Sequence, residues 1–215
     1  MNQTLSRLAD TGVVAVLRGV EADQLIEITE ALREGGVTAV EITADTPDVS
    51  QKLDDVTGAF DDQVIVGTGT VLDSETARAT LMAGAEFVVS PSLHEDVIEM
   101  CNRYGAVTAP GVMTPTEAIR GYEAGADFVK VFPAKTVGPD HLAAMKGPLG
   151  QIPMMPTGGV SPDNAGAYIN AGAFAVGAGG ALVDYDAAAR GDYETITETA
   201  REFVQVVEDA RNGDE

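Results

Sequence analysis

Residues 123–132, EAGADFVKVF, hold within ten positions the end of a helix, a turn on Gly125 and a strand that carries a lysine among apolar neighbours. The same order recurs at REGGVTAVEI (33–42), MAGAEFVVS (82–90) and NAGAFAVGAG (170–179). In each copy a glycine stands just past the helix, where the chain needs a positive φ to leave it. Working outward, eight short runs rich in β-formers follow one another: VVAVLR (13–18), VTAVEIT (37–43), VIVGTGT (64–70), EFVVSPS (86–92), AVTAPG (106–111), DFVKVFPA (127–134), IPMMPTGG (152–159) and FAVGAGG (174–180). Between them, segments such as Asp23 to Glu34 and Ser74 to Ala83 place apolar residues at helical spacing. Strand and helix in strict alternation predict an α/β fold with a parallel sheet. Eight units in 215 residues leave no length for a second domain, so the expectation is a single (β/α)8 TIM barrel over residues 1–215. An amphipathic helix at about 191–211, with Ile196, Phe203, Val204 and Val207 on one face, closes the chain.

Composition narrows the function. Thirteen basic against 34 acidic residues give a net charge of −21, which repels polyanions and argues against nucleic acid or an anionic membrane as partner. An anionic ligand then needs a local site. The acid excess is scattered over helical positions and a short tail, Asn212 to Glu215. Lysine is confined to Lys52, Lys130, Lys135 and Lys146, and this acid-rich, lysine-poor surface is the pattern expected of a halophilic protein kept soluble in concentrated salt. The single cysteine, Cys101, in a helical pattern beside Met100, reads as core and excludes an internal disulfide. No apolar run approaches the length of a membrane span, and the N-terminal MNQTLSRLAD has no apolar leader segment, so the expected location is cytoplasmic.

In a barrel the chemistry lies at the C-terminal ends of the strands. Those ends carry Arg18, Glu41, Thr70, Ser90, Pro110, Lys130 with Phe132, Thr157 to Gly159, and Gly179 with Gly180. Lys130 decides the class of reaction. Period-2 alternation sends Val129 and Val131 one way and Phe128, Lys130 and Phe132 the other, so the ammonium cannot lie on a solvated face. Burying it costs several kcal/mol unless it is paired or neutral, and the neutral amine is a nucleophile. Arg18 is a candidate for shifting it further that way. Glu41, inside another apolar strand, is the best-placed carboxylate to move protons. Equally, Lys130 and Glu41 could form a buried structural ion pair, and the residues alone leave both readings open. GTGT (67–70) offers hydroxyls and backbone donors for a carboxylate. PTGGV (156–160) and GAGG (177–180) end strands seven and eight, where barrels often hold a phosphate on glycine N–H groups. Ser161, Pro162, Asp163 and Asn164 also read as a helix start, so part of that signal is capping. His94 and His141 have no paired ligands, so no metal site is expected.

Together these residues resemble the family of 2-dehydro-3-deoxy-phosphogluconate (KDPG) aldolases, which takes in 4-hydroxy-2-oxoglutarate (KHG) and phosphogalactonate aldolases. The likeness runs from VVAVLRG through VEIT, GTGTV, SPS, APGVMTPTE, VKVFPA and PTGGV to VGAGGALV. The resemblance implies a class I lyase without metal or cofactor, working in the Entner–Doudoroff route of carbohydrate metabolism as a homotrimer. Its partners would be a phosphorylated 2-keto-3-deoxy sugar acid and pyruvate. Lys130 would form the Schiff base and Glu41 act as general acid and base. Arg18 would line the site and Thr70 contact the pyruvate moiety. Thr157 would influence which epimer is accepted, and Gly158 and Gly159 would bind phosphate; Gly179, Gly180, Phe132 and Pro110, by their places at the strand ends, are the further substrate-binding candidates. Two departures bear on substrate choice. Where well-known bacterial members continue the strand-two motif with Leu-Arg, this chain has Ala44 and Asp45; where many have a serine in the strand-eight loop, it has Gly180. The alternatives are a non-covalent phosphate-binding barrel of the isomerase or epimerase kind, with Lys130 as proton donor, and a non-catalytic sugar-phosphate-binding barrel.

Overall fold

Period-2 alternation divides the strand side chains, nearly all of them buried, between two clusters, and that division builds the molecule. The computed structural model describes residues 2–213; Asp214 and Glu215 of the acidic tail lie outside them. The strands are β1 (Val13–Leu17), β2 (Ala39–Thr43), β3 (Ile65–Gly69), β4 (Phe87–Val89), β5 (Val107–Ala109), β6 (Gly111–Val112), β7 (Val129–Val131), β8 (Met154–Pro156) and β9 (Val176–Ala178). Val13, Ala15, Leu17, Val40, Ile42, Val129 and Val131 pack outward with helix residues such as Leu25, Ile28, Leu142 and Phe203. Val14, Ala39, Ile65, Phe87, Val107, Phe128 and Met155 form a second, inner cluster, joined by Leu8 of the first helix, α1 (Gln3–Thr11).

The helices between strands are α2 (Ala22–Glu34), α3 (Val49–Phe60), α4 (Ser74–Met82), α5 (Glu95–Tyr104), α6 (Pro115–Glu123), α7 (Ala134–Lys146) and α8 (Pro162–Asn170). The repeat glycines behave as their position demands: Gly36, Gly84, Gly125 and Gly172 have φ of 93°, 99°, 100° and 97°. The closing helix is α10 (Glu194–Asn212), preceded by a short helix, α9 (Tyr185–Ala189). Ile196, Phe203 and Val207 of α10 are buried, while Val204, the fourth apolar position of that face, packs against the core from its edge.

One eight-stranded ladder was expected, and the hydrogen bonding differs. Six parallel strands run in the order β5-β4-β3-β2-β1-β9, and three more in the order β6-β7-β8. Pro110 separates β5 from β6, because a proline has no N–H to give to a ladder. Its carbonyl still accepts the Lys130 N–H at 2.9 Å. Between β8 and β9 the contact shrinks to a single parallel bridge, Thr157 to Gly177.

Candidate active site

Alternation along β7 puts Lys130 on the inner side, two residues after Phe128 of the inner cluster. Register places Glu41 of β2 between Val16 of β1 and Gly67 of β3. The two side chains meet: Lys130 Nζ lies 3.7 Å from Glu41 Oε1, with side-chain exposures of 7% and 0%. That distance is within electrostatic reach and beyond an ordinary hydrogen bond of about 2.7–3.2 Å. Neither carboxylate oxygen has a hydrogen-bond partner. A satisfied structural bridge would engage those oxygens; leaving them bare in the interior costs several kcal/mol, and such groups collect at functional sites. Room for the carboxylate comes from Gly69, where a Cβ would fall 1.8 Å from Oε1.

Above this pair opens a cavity of about 280 Å³, near the small end of the roughly 300–1,000 Å³ usual for small-molecule sites. Of the residues singled out from sequence, Arg18, Thr70, Lys130, Phe132, Thr157, Gly158, Gly159, Gly179 and Gly180 line it. Glu41 lies beneath, in contact with Lys130. Pro110 does not reach it: its ring faces α6, where a Cβ on Gly121 would be 2.8 Å from Pro110 Cγ. Pro91 and Val16, which sequence reasoning passed over, do line the cavity. A larger hollow, about 460 Å³ over Gly180 to Asp186, Thr195 and Thr199, holds neither Lys130 nor Glu41, so size alone does not select the site.

Each wall has its own chemistry. The Phe132 ring, 36% exposed, sits 5.2 Å from Lys130 Nζ, within cation–π range. Thr70 follows β3 in a left-handed conformation, φ 58°, and its hydroxyl accepts from Arg18 Nη2 at 2.9 Å. Arg18 Nη1 is bound by the carboxylate of Asp45, a contact the sequence did not suggest. The Arg18 N–H donates to the Tyr185 hydroxyl at 3.3 Å, and burial holds that phenol above its ordinary value. The buried Thr157 hydroxyl has no partner. Gly158 and Gly159 turn with φ of 90° and 83°. Ser161 and Asn164 form a capping box at the start of α8, so those residues serve the helix.

The remaining candidates are structural. His94 Nε2 meets the Ser92 hydroxyl at 2.9 Å and His141 Nε2 the Met113 carbonyl at 2.8 Å. Cys101 is buried, and burial pushes its thiol up to about 11. Among the described residues no group of three His, Cys, Asp or Glu side chains is placed to hold a metal ion, and no helix is long and apolar enough to cross a membrane.

Known proteins resemble this chain in sequence and fold. The family described as KDPG and KHG aldolase matches residues 5–199. The 2-dehydro-3-deoxy-6-phosphogalactonate aldolase of Escherichia coli K12 is 35% identical over 171 residues, 79% of this chain and 83% of its own. The KHG/KDPG aldolase of the same strain is 33% identical over 194 residues, covering 90% and 91%. A KDPG aldolase from Legionella pneumophila, solved with pyruvate captured as a covalent carbinolamine intermediate, superposes with a TM-score of 0.86 at 28% identity, covering 93% of this chain and 97% of that one.

Proposed function

We infer the reaction from one premise: the chain belongs to the KDPG and KHG aldolase family. It is a carbon–carbon lyase of the class I type, and it cleaves 2-dehydro-3-deoxy-6-phosphogluconate-type acids to pyruvate and glyceraldehyde 3-phosphate. The observation that carries the residue assignments is the bare, fully buried Glu41 carboxylate 3.7 Å from Lys130 on the floor of the cavity.

The Lys130 amine attacks the C2 carbonyl, and loss of water leaves a protonated imine. Glu41, directly or through water, takes the proton from the C4 hydroxyl. The C3–C4 bond breaks, its electron pair moves into the imine as an enamine, and the aldehyde leaves. Glu41 returns the proton to C3, and water releases pyruvate from Lys130. Thr70 and nearby N–H groups hold the carboxylate; the glycine pairs 158–159 and 179–180 hold the phosphate. Thr157 faces the carbon that distinguishes epimers, with the gluconate form preferred and the galactonate form tolerated.

The finer architecture follows the same reading. The two sheets are arcs of one closed (β/α)8 barrel forming a single domain; the Thr157–Gly177 bridge and the Pro110 carbonyl bonded to Lys130 support closure. The protein works in the cytoplasm as a homotrimer, on the family resemblance. A halophilic source is supported by 34 acidic against 13 basic residues, and sharp loss of folded protein on dilution into low salt is the expected sign. To test the reaction, folded protein is incubated with pyruvate and borohydride and digested for mass spectrometry. A reduced pyruvyl adduct on Lys130 is expected; its absence refutes the covalent assignment.

A further inference from the structure

Apart from Lys130, Arg18 supplies the only cationic side chain among the residues lining the cavity, and it is already engaged. Its Nη1 is bound by Asp45 and its Nη2 donates to Thr70. We propose that Asp45 is a specificity-determining residue that competes with an anionic group of the substrate, carboxylate or phosphate, for the Arg18 guanidinium. The inference rests on the aldolase reading of the cavity.

Three observations carry it. The pair is open to solvent, with side-chain exposures of 55% and 49%, so it is weak, screened by salt and exchangeable. Asp45 is not needed to shape its own turn: Ala44 N–H donates to Gly69 O at 2.7 Å, Thr46 N–H to Thr43 O at 2.9 Å, and Gly19 N–H to Thr46 Oγ1 at 3.1 Å. The carboxylate side chain is thus left to act on Arg18. Finally, the guanidinium has five donors in a fork, Asp45 and Thr70 engage only part of them, and Arg18 lines the cavity.

The consequence is electrostatic. Beside Asp45, Arg18 acts as one pole of a dipole, and an incoming anion is attracted by the guanidinium and repelled by the carboxylate. Replacing Asp45 by asparagine keeps an oxygen that can accept from Nη1 and removes the repulsion. For unit charges about 6 Å apart in an effective dielectric of about 40–80, damped by the salt at about 0.1 M, that repulsion is worth roughly a 2- to 4-fold change in affinity. With a Debye length of about 10 Å at 0.1 M and about 3 Å at 1 M, it fades at high salt. The general repulsion from a net charge of −21 also fades, equally in both proteins, and cancels in their ratio.

The experiment compares wild type, Asp45→Asn and Asp45→Glu at about 0.1 M and about 2 M KCl, with sucrose in every buffer to hold the fold at low ionic strength and circular dichroism to verify it. It reads the pyruvate concentration that half-saturates borohydride trapping on Lys130, and KM and kcat for the phosphorylated substrate. Expected for Asp45→Asn at low salt is a KM roughly 2- to 4-fold below wild type, with kcat moving less than KM, and convergence to the wild-type value at high salt. Asp45→Glu stays near wild type. If the pyruvate value falls too, the anion is the carboxylate; if only KM falls, it is the phosphate. Unchanged or raised values at low salt, the direction a merely structural role would give, overturn the inference alone. No Lys130 adduct in folded wild type overturns the aldolase reading and the inference with it.

Discussion

Replacing Gly69 with alanine should remove activity by a route visible in the structure. A Cβ there would stand 1.8 Å from Glu41 Oε1 and 2.3 Å from its Cδ. Even a close carbon–oxygen contact is about 3.3 Å, so the carboxylate or the end of β3 must move by about 1.5 Å. Glu41 is fully buried and faces the Lys130 ammonium at 3.7 Å, so any escape changes that distance. A misplacement of about 1 Å costs on the order of 100-fold in rate, so kcat should fall roughly 100- to 1,000-fold. Overpacking costs about 1–3 kcal/mol, which in a domain of this size lowers Tm by roughly 2–12 °C. The control is Gly67→Ala, whose Cβ would meet the Phe87 ring at 2.3 Å. It should cost comparable stability with far less loss of kcat, because the crowding falls on the packed interior. Pyruvate release, followed by its reduction with NADH, gives kcat, and thermal unfolding by circular dichroism gives Tm. If Gly69→Ala keeps kcat within threefold of wild type, or if the two variants lose activity alike, the role assigned to this gap is wrong.

Three further outcomes are expected. Lys130→Met strands the buried Glu41 charge and should cost about 3–5 kcal/mol in urea unfolding, while adding Glu41→Leu should recover most of that, since apolar replacement of a whole buried pair is neutral or stabilising by about 1–4 kcal/mol. Thr157→Val removes a buried hydroxyl that has no partner, so stability should hold or rise slightly while the kcat/KM ratio between gluconate and galactonate epimers moves. The Met113 N–H foremost, then the Thr114 hydroxyl, hold Glu117 below its ordinary value of 4.5. A depressed acid contributes stability above its unfolded pKa and loses it as pH falls through the folded one. Glu117→Gln should therefore be less stable than wild type at pH 7, with the gap in Tm closing below about pH 4.5.

The sequence made the strands, the repeat and the buried charged pair legible for one physical reason: each stands out from its local pattern. A glycine just past a helix leaves few conformations, and Gly36, Gly84, Gly125 and Gly172 take the left-handed one. A charge inside an apolar strand is conspicuous, and Glu41 and Lys130 were found that way. What escaped depends on the path of the chain through space. Pro110 sits at a strand end by its position in AVTAPG, yet its ring turns to α6. Pro91 lines the cavity because the loop after β4 lies against β6, so closely that a Cβ on Gly111 would come within 2.2 Å of the Pro91 carbonyl. Asp45 read as a lost substrate contact; that it binds Arg18 follows from the turn joining β2 to α3, which no local pattern encodes.

The depth of the site follows from the same alternation that builds the fold. On β2, β7 and β8, Ala39, Phe128 and Met155 belong to the inner cluster, and two residues further along each strand stand Glu41, Lys130 and Thr157. One step of the pleat carries each strand from packed interior to the floor of the cavity, so the cavity begins where apolar filling stops. At that boundary Lys130 and Glu41 offset each other's charge enough for both to be buried. Their 3.7 Å separation and the bare carboxylate oxygens leave each with hydrogen-bonding capacity that the protein itself does not use. A tighter pair would satisfy those oxygens within the protein itself; under the proposed mechanism it is this unused capacity that a substrate's hydroxyl or a water would take up for a proton to pass.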